Sequence, residues 1–252
     1  MIGRELLDDP RADPRAVLAE LRDIARLNTL FGGTRAVVEA LEPFFRQSCN
    51  GQRASCNVRW TLLDVGTGLG DIPQAAAAAA RRYGVKLRPI GVELNPTAAH
   101  LARGNGMPAV LGDGNALPIR PRSVDVIVAS QVLHHLPRTV AVRWIASFDR
   151  LARRAVVLAD LRRSRLAMVG VWAASLGLGM SRVTRHDAVV SLRRGYTKRE
   201  FQEMLTEAGV SAVARYRPGS RVVASWAPEA SSVIRCPSSL ATDDGRRLPC
   251  AP

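Results

Sequence analysis

The feature that most constrains the fold is the stretch TLLDVGTGLGD, residues 61–71, an apolar run that ends on an acid and breaks into alternating glycines. Such a run predicts a buried strand over 60–65 that empties into a tight loop. Glycines at 66, 68 and 70 let the main chain turn sharply and let a ligand approach without meeting a Cβ atom. The helix predicted to follow, over 72–83, offers unpaired N–H groups and a positive dipole end to an anionic group. The spacing narrows the choice of ligand. A dinucleotide loop needs glycine where Asp71 stands, and a carboxylate there faces a pyrophosphate badly. A phosphate-cradling Walker loop needs a lysine after the glycines, and none follows.

Downstream, apolar runs alternate with helical segments. Further strands are predicted over 87–93, 108–111, 124–129 and 155–160, with a closing pair over 212–216 and 221–226; helices are predicted over 96–103, 139–151 and 198–208. The alternation implies an α/β, Rossmann-like doubly wound seven-stranded sheet that is mostly parallel, with the last strand antiparallel across the short link at 217–220. Ligands of such sheets bind beyond the carboxyl ends of the strands. Before this domain, Asp13 and Pro14 read as the start of one helix that the Gly32–Gly33 pair stops, and a second helix is expected after Thr34. The division is therefore an N-terminal helical region with linker over 1–57, a main domain over 58–226 with an insertion at 161–194, and a disordered tail over 227–252.

Two more loops extend the site. Glu93 in GVELNP closes the second strand, where an acid can accept from both hydroxyls of a ribose or simply cap the helix at Pro96. Asp113 in LGDGNALPI follows the third strand, where it can accept from an exocyclic adenine amine or merely form an Asp-Gly turn. Taken together, the glycine loop, Glu93, Asp113 and the fourth strand VDVIVASQVLHHLP, 124–137, resemble the class I S-adenosylmethionine-dependent methyltransferases, closest to the branch that modifies small natural products and quinones. The resemblance covers about 60–226. It implies S-adenosylmethionine as cofactor, held by Asp64, Gly66, Thr67, Gly68 and Gly70, by Glu93 and Leu94, by Asp113, Gly114, Asn115 and Ala116, and by Ser130 and Gln131 after the fourth strand.

Methyl transfer from a sulfonium is an in-line displacement, so alignment of nucleophile and methyl carbon is the main demand. A phenol or alcohol acceptor also profits from a general base. The candidates are His135 and His134, where the family's substrate pocket opens, and His186, which Asp187 can orient. At least one of the His134–His135 pair is expected to face the cavity, and because neighbouring side chains point differently His135 is the first candidate and His134 the second. Asn28, Thr34 and Arg35 can close over the cofactor or form an ordinary helix junction.

Composition limits the partners. The formal charge of +14 invites a polyanion, yet Lys86 and Lys198 are the only lysines among 36 basic residues, and the arginines are spread along the chain as on a solvated surface. With 3 tyrosines and no interleaving of aromatic and basic residues, nucleic acid is a poor fit. Cys49, Cys56, Cys236 and Cys250 have no zinc-like spacing, so no metal is expected, and the start of the chain reads as cytoplasmic rather than as a secretory signal. The uncharged stretch 166–180 is short for a bilayer span but suits a lid or a membrane-surface helix. The expectation is an O-methyltransferase acting on an apolar or aromatic small molecule; RNA or protein methylation and a non-catalytic cofactor-binding protein are the rivals.

Overall fold

The structure is a computed structural model that describes residues 5–9, 11–48 and 57–228. Of the linker expected over 46–57, residues 46–48 are helical and 49–56 lie outside the described residues, as do all but the first two residues of the tail expected over 227–252 and all four cysteines.

Seven strands form one sheet in the order β3-β2-β1-β4-β5-β7-β6. They are β1 Val58–Val65, β2 Val85–Glu93, β3 Ala109–Leu111, β4 Val124–Ser130, β5 Ala152–Leu161, β6 Arg215–Arg217 and β7 Arg221–Trp226. All neighbouring pairs from β3 through β5 are parallel, and β7 runs antiparallel to both β5 and β6. The apolar strand sequences follow from burial on both faces. Residues of opposite pleat go to opposite layers. Leu63, Ile127 and Val156 pack under α5 (Arg138–Leu151) and α8 (Lys198–Glu207) through Phe148 and Phe201. Leu62, Val126 and Val157 pack under α2 (Gly33–Ser48) and α3 (Asp71–Arg81) through Leu41, Phe45 and Ala76.

Element ends differ from the sequence expectation by a few residues, as where β5 begins at Ala152 rather than 155 and β6 covers Arg215–Arg217 rather than 212–216. The second helix begins at Gly33 rather than after Thr34, and it is not an appendage: Val37, Leu41 and Phe45 are fully buried against the sheet. Its apolar stripe needs a partner, and the sheet face beside α3 supplies one. The preceding helix α1 (Pro14–Leu30) is capped by Asp13, whose side chain accepts from the Ala16 amide, and it lies across the carboxyl ends of the strands against α4 (Pro96–Gly104). The insertion forms α6 (Arg165–Gly177) and α7 (Arg182–Arg194), which pack on each other beside the same edge.

Candidate active site

The carboxyl ends of β1, β2, β4 and β5 open into a cavity of about 990 Å³, at the upper end of the size of ordinary ligand sites. Its first wall is the glycine loop. Gly66, Gly68 and Gly70 have φ of 77°, 54° and 77°, in the left-handed region. A Cβ on Gly66 would stand 2.1 Å from Val132 Cγ2, and one on Gly70 would stand 2.6 Å from Met107 Cγ. Gly70 therefore serves the turn and the start of α3 and is not part of the cavity wall, contrary to the sequence expectation.

The second wall ties to the first. The Gly68 amide donates to Glu93 Oε2 at 3.0 Å, while Glu93 Oε1 accepts from the amides of Leu94 and Asn95 at 3.0 and 3.2 Å. Glu93 thus splints the glycine loop to β2, with Leu94 at the cavity rim. On the third loop, Asp113 Oδ1 accepts from the Asn115 amide and side chain at 2.8 and 2.9 Å, and Asn115 Oδ1 accepts from Trp144 Nε1 at 2.9 Å. A Cβ on Gly114 would meet the Trp144 ring at 2.3 Å. Trp144 is thus the floor of this loop, a role no sequence signal announced, because it reads as one more apolar residue in the stripe of α5. Ala116 is exposed and does not line the cavity; the turn that Asp113 caps carries it to solvent.

Between these loops and β4 the wall is acidic. Asp64 is buried, and burial pushes its carboxyl up to about 7; the neighbouring Thr67 works against the shift, while Asp71 and Glu93 add to it. Asp71 is raised as well, again chiefly by burial. Thr67 Oγ1, Asp71 Oδ2 and Ser130 Oγ are buried with no hydrogen-bond partner among the described residues. Orphaned polar atoms of this kind call for a ligand. Gln131, left-handed at φ 56°, sends Nε2 to Asn28 Oδ1 at 2.5 Å, so α1 is latched to the end of β4. Arg35, by contrast, pairs with Glu39 at 3.1 Å and does not line the cavity.

Both His134 and His135 line the cavity; a short 3-10 turn over Leu133–His135 brings their rings within 4.2 Å of each other. Their partners differ. His134 Nδ1 lies 2.7 Å from Asp160 Oδ1, with both residues almost fully buried. Burial tends to raise the Asp160 carboxyl, but His134 outweighs it and the pKa is lowered, so Asp160 is the acceptor and His134 Nδ1 the donor. In the neutral imidazole this tautomer leaves the lone pair on Nε2, and that atom is buried without a partner among the described residues. His135 is tied down instead: Nδ1 sits 2.8 Å from Asp8 and Nε2 3.7 Å from Glu5. Burial works against its charged form, but Asp8 and Glu5 win and its pKa is raised. Glu5, His134 and His135 hold ligand-type atoms within 4.8 Å of one another, but the Arg194 guanidinium already lies 3.1 Å from Glu5 and 3.0 Å from Asp8. His186 stands apart. It pairs with Asp187 at 2.9 Å as expected, yet its side chain is 63% exposed and outside the cavity, because Asp187 is held inward by the Leu6 amide.

The strand order, the glycine loop splinted by an acid on β2 and the cavity along β1 and β4 are similar to those of the class I S-adenosylmethionine-dependent methyltransferases. The residues fit that cofactor: bare backbone at Gly66 and Gly68, orphaned polar atoms beyond them, and acids where a cation would lie. Residues 63–158 match the family model described as a methyltransferase domain. The chain is 42% identical over 82 residues to uncharacterized methyltransferases of Mycobacterium ulcerans and Mycobacterium marinum, a stretch that is 31% of this chain and 30% of each relative. In fold it is similar to a SAM-dependent methyltransferase from Aquifex aeolicus (TM-score 0.55, 17% identity, 84% of this chain and 97% of that one). It is also similar to human N-acetylserotonin methyltransferase in complex with SAM (TM-score 0.59, 11% identity, 84% and 56%). Among the described residues no helix is long and apolar enough to cross a membrane.

Proposed function

We propose that this chain methylates a hydroxyl of an apolar or aromatic small molecule, with S-adenosylmethionine as donor and His134 as general base. The observation that carries the reading is the free Nε2 of His134, buried at the cavity wall behind an Asp160 bond of 2.7 Å. The cofactor supplies an electrophilic methyl group on sulfur. The chain's own residues do the rest. Asp160 holds the imidazole in the tautomer whose Nε2 accepts the hydroxyl proton, and its charge stabilises the imidazolium that results. Leu21, Ile24 and Leu27 from α1 and Leu166, Gly170 and Val171 from α6 give the cavity an apolar roof, which suits an acceptor with little charge and keeps water from the sulfonium.

The outer side of the same roof supports a site of work at a membrane surface, within the cytoplasm. Val169 and Trp172 are 66% and 51% exposed, and residues 161–186 contain no Asp or Glu. Arg165 opens α6 and Arg182 opens α7 after it, both exposed, an arrangement suited to anionic headgroups. A lipid-soluble phenol, quinone-like or polyketide intermediate would then reach the cavity past α6. The test is S-adenosylhomocysteine release across a panel of phenols, hydroquinones and alkylresorcinols. Turnover by the wild-type chain that His134→Asn loses, with S-adenosylhomocysteine binding retained, is the expected result. Turnover that survives the substitution overturns the base assignment.

A further inference from the structure

The cavity contains a buried cation that the methyl transfer outlined above does not use. Arg221 is the first residue of β7, and because β7 is antiparallel it sits beside Leu161 at the carboxyl end of β5. It is 4% exposed and lines the cavity. Nη2 donates to Asn28 Oδ1 at 3.2 Å, whereas Nε is buried with no partner among the described residues. Among the described residues no carboxylate pairs with the guanidinium; Asp160 acts on it only through space and is committed to His134 and the Leu161 amide. The surroundings make the charge costlier still. Gly33, at the positive end of α2, lies against the guanidinium, and a Cβ there would come 2.9 Å from Nη2. A structural arginine buried to this depth is ordinarily matched by an acid, since an unpaired buried charge is strongly destabilising. Consistent with that strain, burial lowers the Arg221 pKa to about 10.

We infer that Arg221 is the receptor for a ligand carboxylate, with Asn28 fixing the plane of its fork. The inference rests on the methyltransferase reading above. Two ligands can bring a carboxylate to this place: the amino-acid end of the cofactor, or an acid group on the acceptor. The neighbours suit the first. Asn28, which Gln131 and Arg221 both bond, also lies beside Asp71, and Asp71 and Asp64 form an acidic flank. An acidic flank on one side of Asn28 and a guanidinium on the other match the ammonium and carboxylate of a zwitterion.

The experiment measures binding by calorimetry, with two ligands on the wild-type chain and on Arg221→Gln. The ligands are S-adenosylhomocysteine and its decarboxylated analogue, S-adenosyl-3-thiopropylamine. If the carboxylate is the cofactor's, Arg221→Gln loses S-adenosylhomocysteine affinity by about two orders of magnitude, and binds the analogue as the wild type does. If it is the acceptor's, S-adenosylhomocysteine binding is unchanged, and benzoate binds the S-adenosylhomocysteine-loaded wild type but not the loaded variant. The assignment is overturned if the variant binds S-adenosylhomocysteine and benzoate as the wild type does. It is equally overturned if the wild type does not distinguish S-adenosylhomocysteine from its analogue and takes no benzoate, a comparison that needs no folded variant. That second result leaves the methyltransferase reading intact. Failure of the wild type to bind either adenosyl ligand overturns that reading, and this assignment with it.

Discussion

At the scale of single residues, the acceptor chemistry turns on which ring nitrogen is free. His134 and His135 are adjacent and face one cavity, but Asp160 takes Nδ1 of the first and leaves Nε2 open, whereas Asp8 and Glu5 engage both nitrogens of the second. Asp160→Asn keeps the shape and removes the acceptor that sets the tautomer. Turnover is expected to fall by about 10²- to 10⁴-fold, while S-adenosylhomocysteine affinity in calorimetry stays at the wild-type value. Equal turnover in this variant would mean that Asp160 serves packing alone. None of this selection was legible in the sequence. The pair LHHLP marks a histidine-bearing strand end, but the partners that separate the two rings lie 26 and 127 residues away. The same distance hides Arg221 and Trp144, whose importance depends on Asn28 and Asn115 across the fold. Glu93 was legible because its position after β2 is set by a local repeat of strand, acid and helix cap, although its grip on the Gly68 amide was not.

At the scale of elements, the strand-loop-helix units could be read because their signals are local: apolar runs of strand length, glycines at the turn, Asn95 and Pro96 at the start of α4. What cannot be read is which surface each amphipathic helix covers: the sequence puts α2 in an N-terminal helical region, and its apolar stripe belongs to the core. The first loop gives a sharp test. Gly66→Ala forces a Cβ to 2.1 Å from Val132 in a backbone at φ 77°. It is expected to cost at least about 1–3 kcal/mol from the backbone alone and to abolish S-adenosylhomocysteine binding, as read by chemical denaturation and calorimetry. Helix α6 gives a second. Val169→Ser with Trp172→Ser removes exposed apolar surface without touching the cavity. Cosedimentation with phosphatidylglycerol vesicles should drop several-fold while S-adenosylhomocysteine affinity is unchanged; vesicle binding equal to wild type would rule out α6 as the membrane contact.

At the scale of the whole molecule, the cavity's acids couple ligand binding to stability. Asp64 under β1 and Glu20 under the roof are both pushed by burial to about 7. Thr184 opposes the shift at Glu20, while Asp187, Asp23 and Glu5 reinforce it. An acid whose pKa is higher folded than unfolded holds its proton more tightly in the folded chain. Its contribution is complete below the unfolded value, near 4, and is lost as pH rises through 7. His135, raised by its acids, works in the same direction, since its charged form is favoured by folding and disappears above its folded pKa. The depressed acids Asp8 and Asp160 add stability that is already complete above about 4 and so contribute no slope near neutrality. The ligand-free chain is therefore expected to lose stability between pH 5 and pH 8, on the order of a few kcal/mol, seen as a fall of roughly 5–10 °C in Tm. Asp64→Asn should flatten part of that slope. A cationic ligand should do the same, because it favours the ionised carboxyl that folding alone disfavours. S-adenosylmethionine, charged at sulfur, should thus gain on neutral S-adenosylhomocysteine as pH rises, and Asp64→Asn should remove the gain. A free-chain Tm that is flat or rising over this window would contradict the burial of both acids. A pH-independent ratio of the two affinities would instead place Asp64 out of reach of the sulfonium.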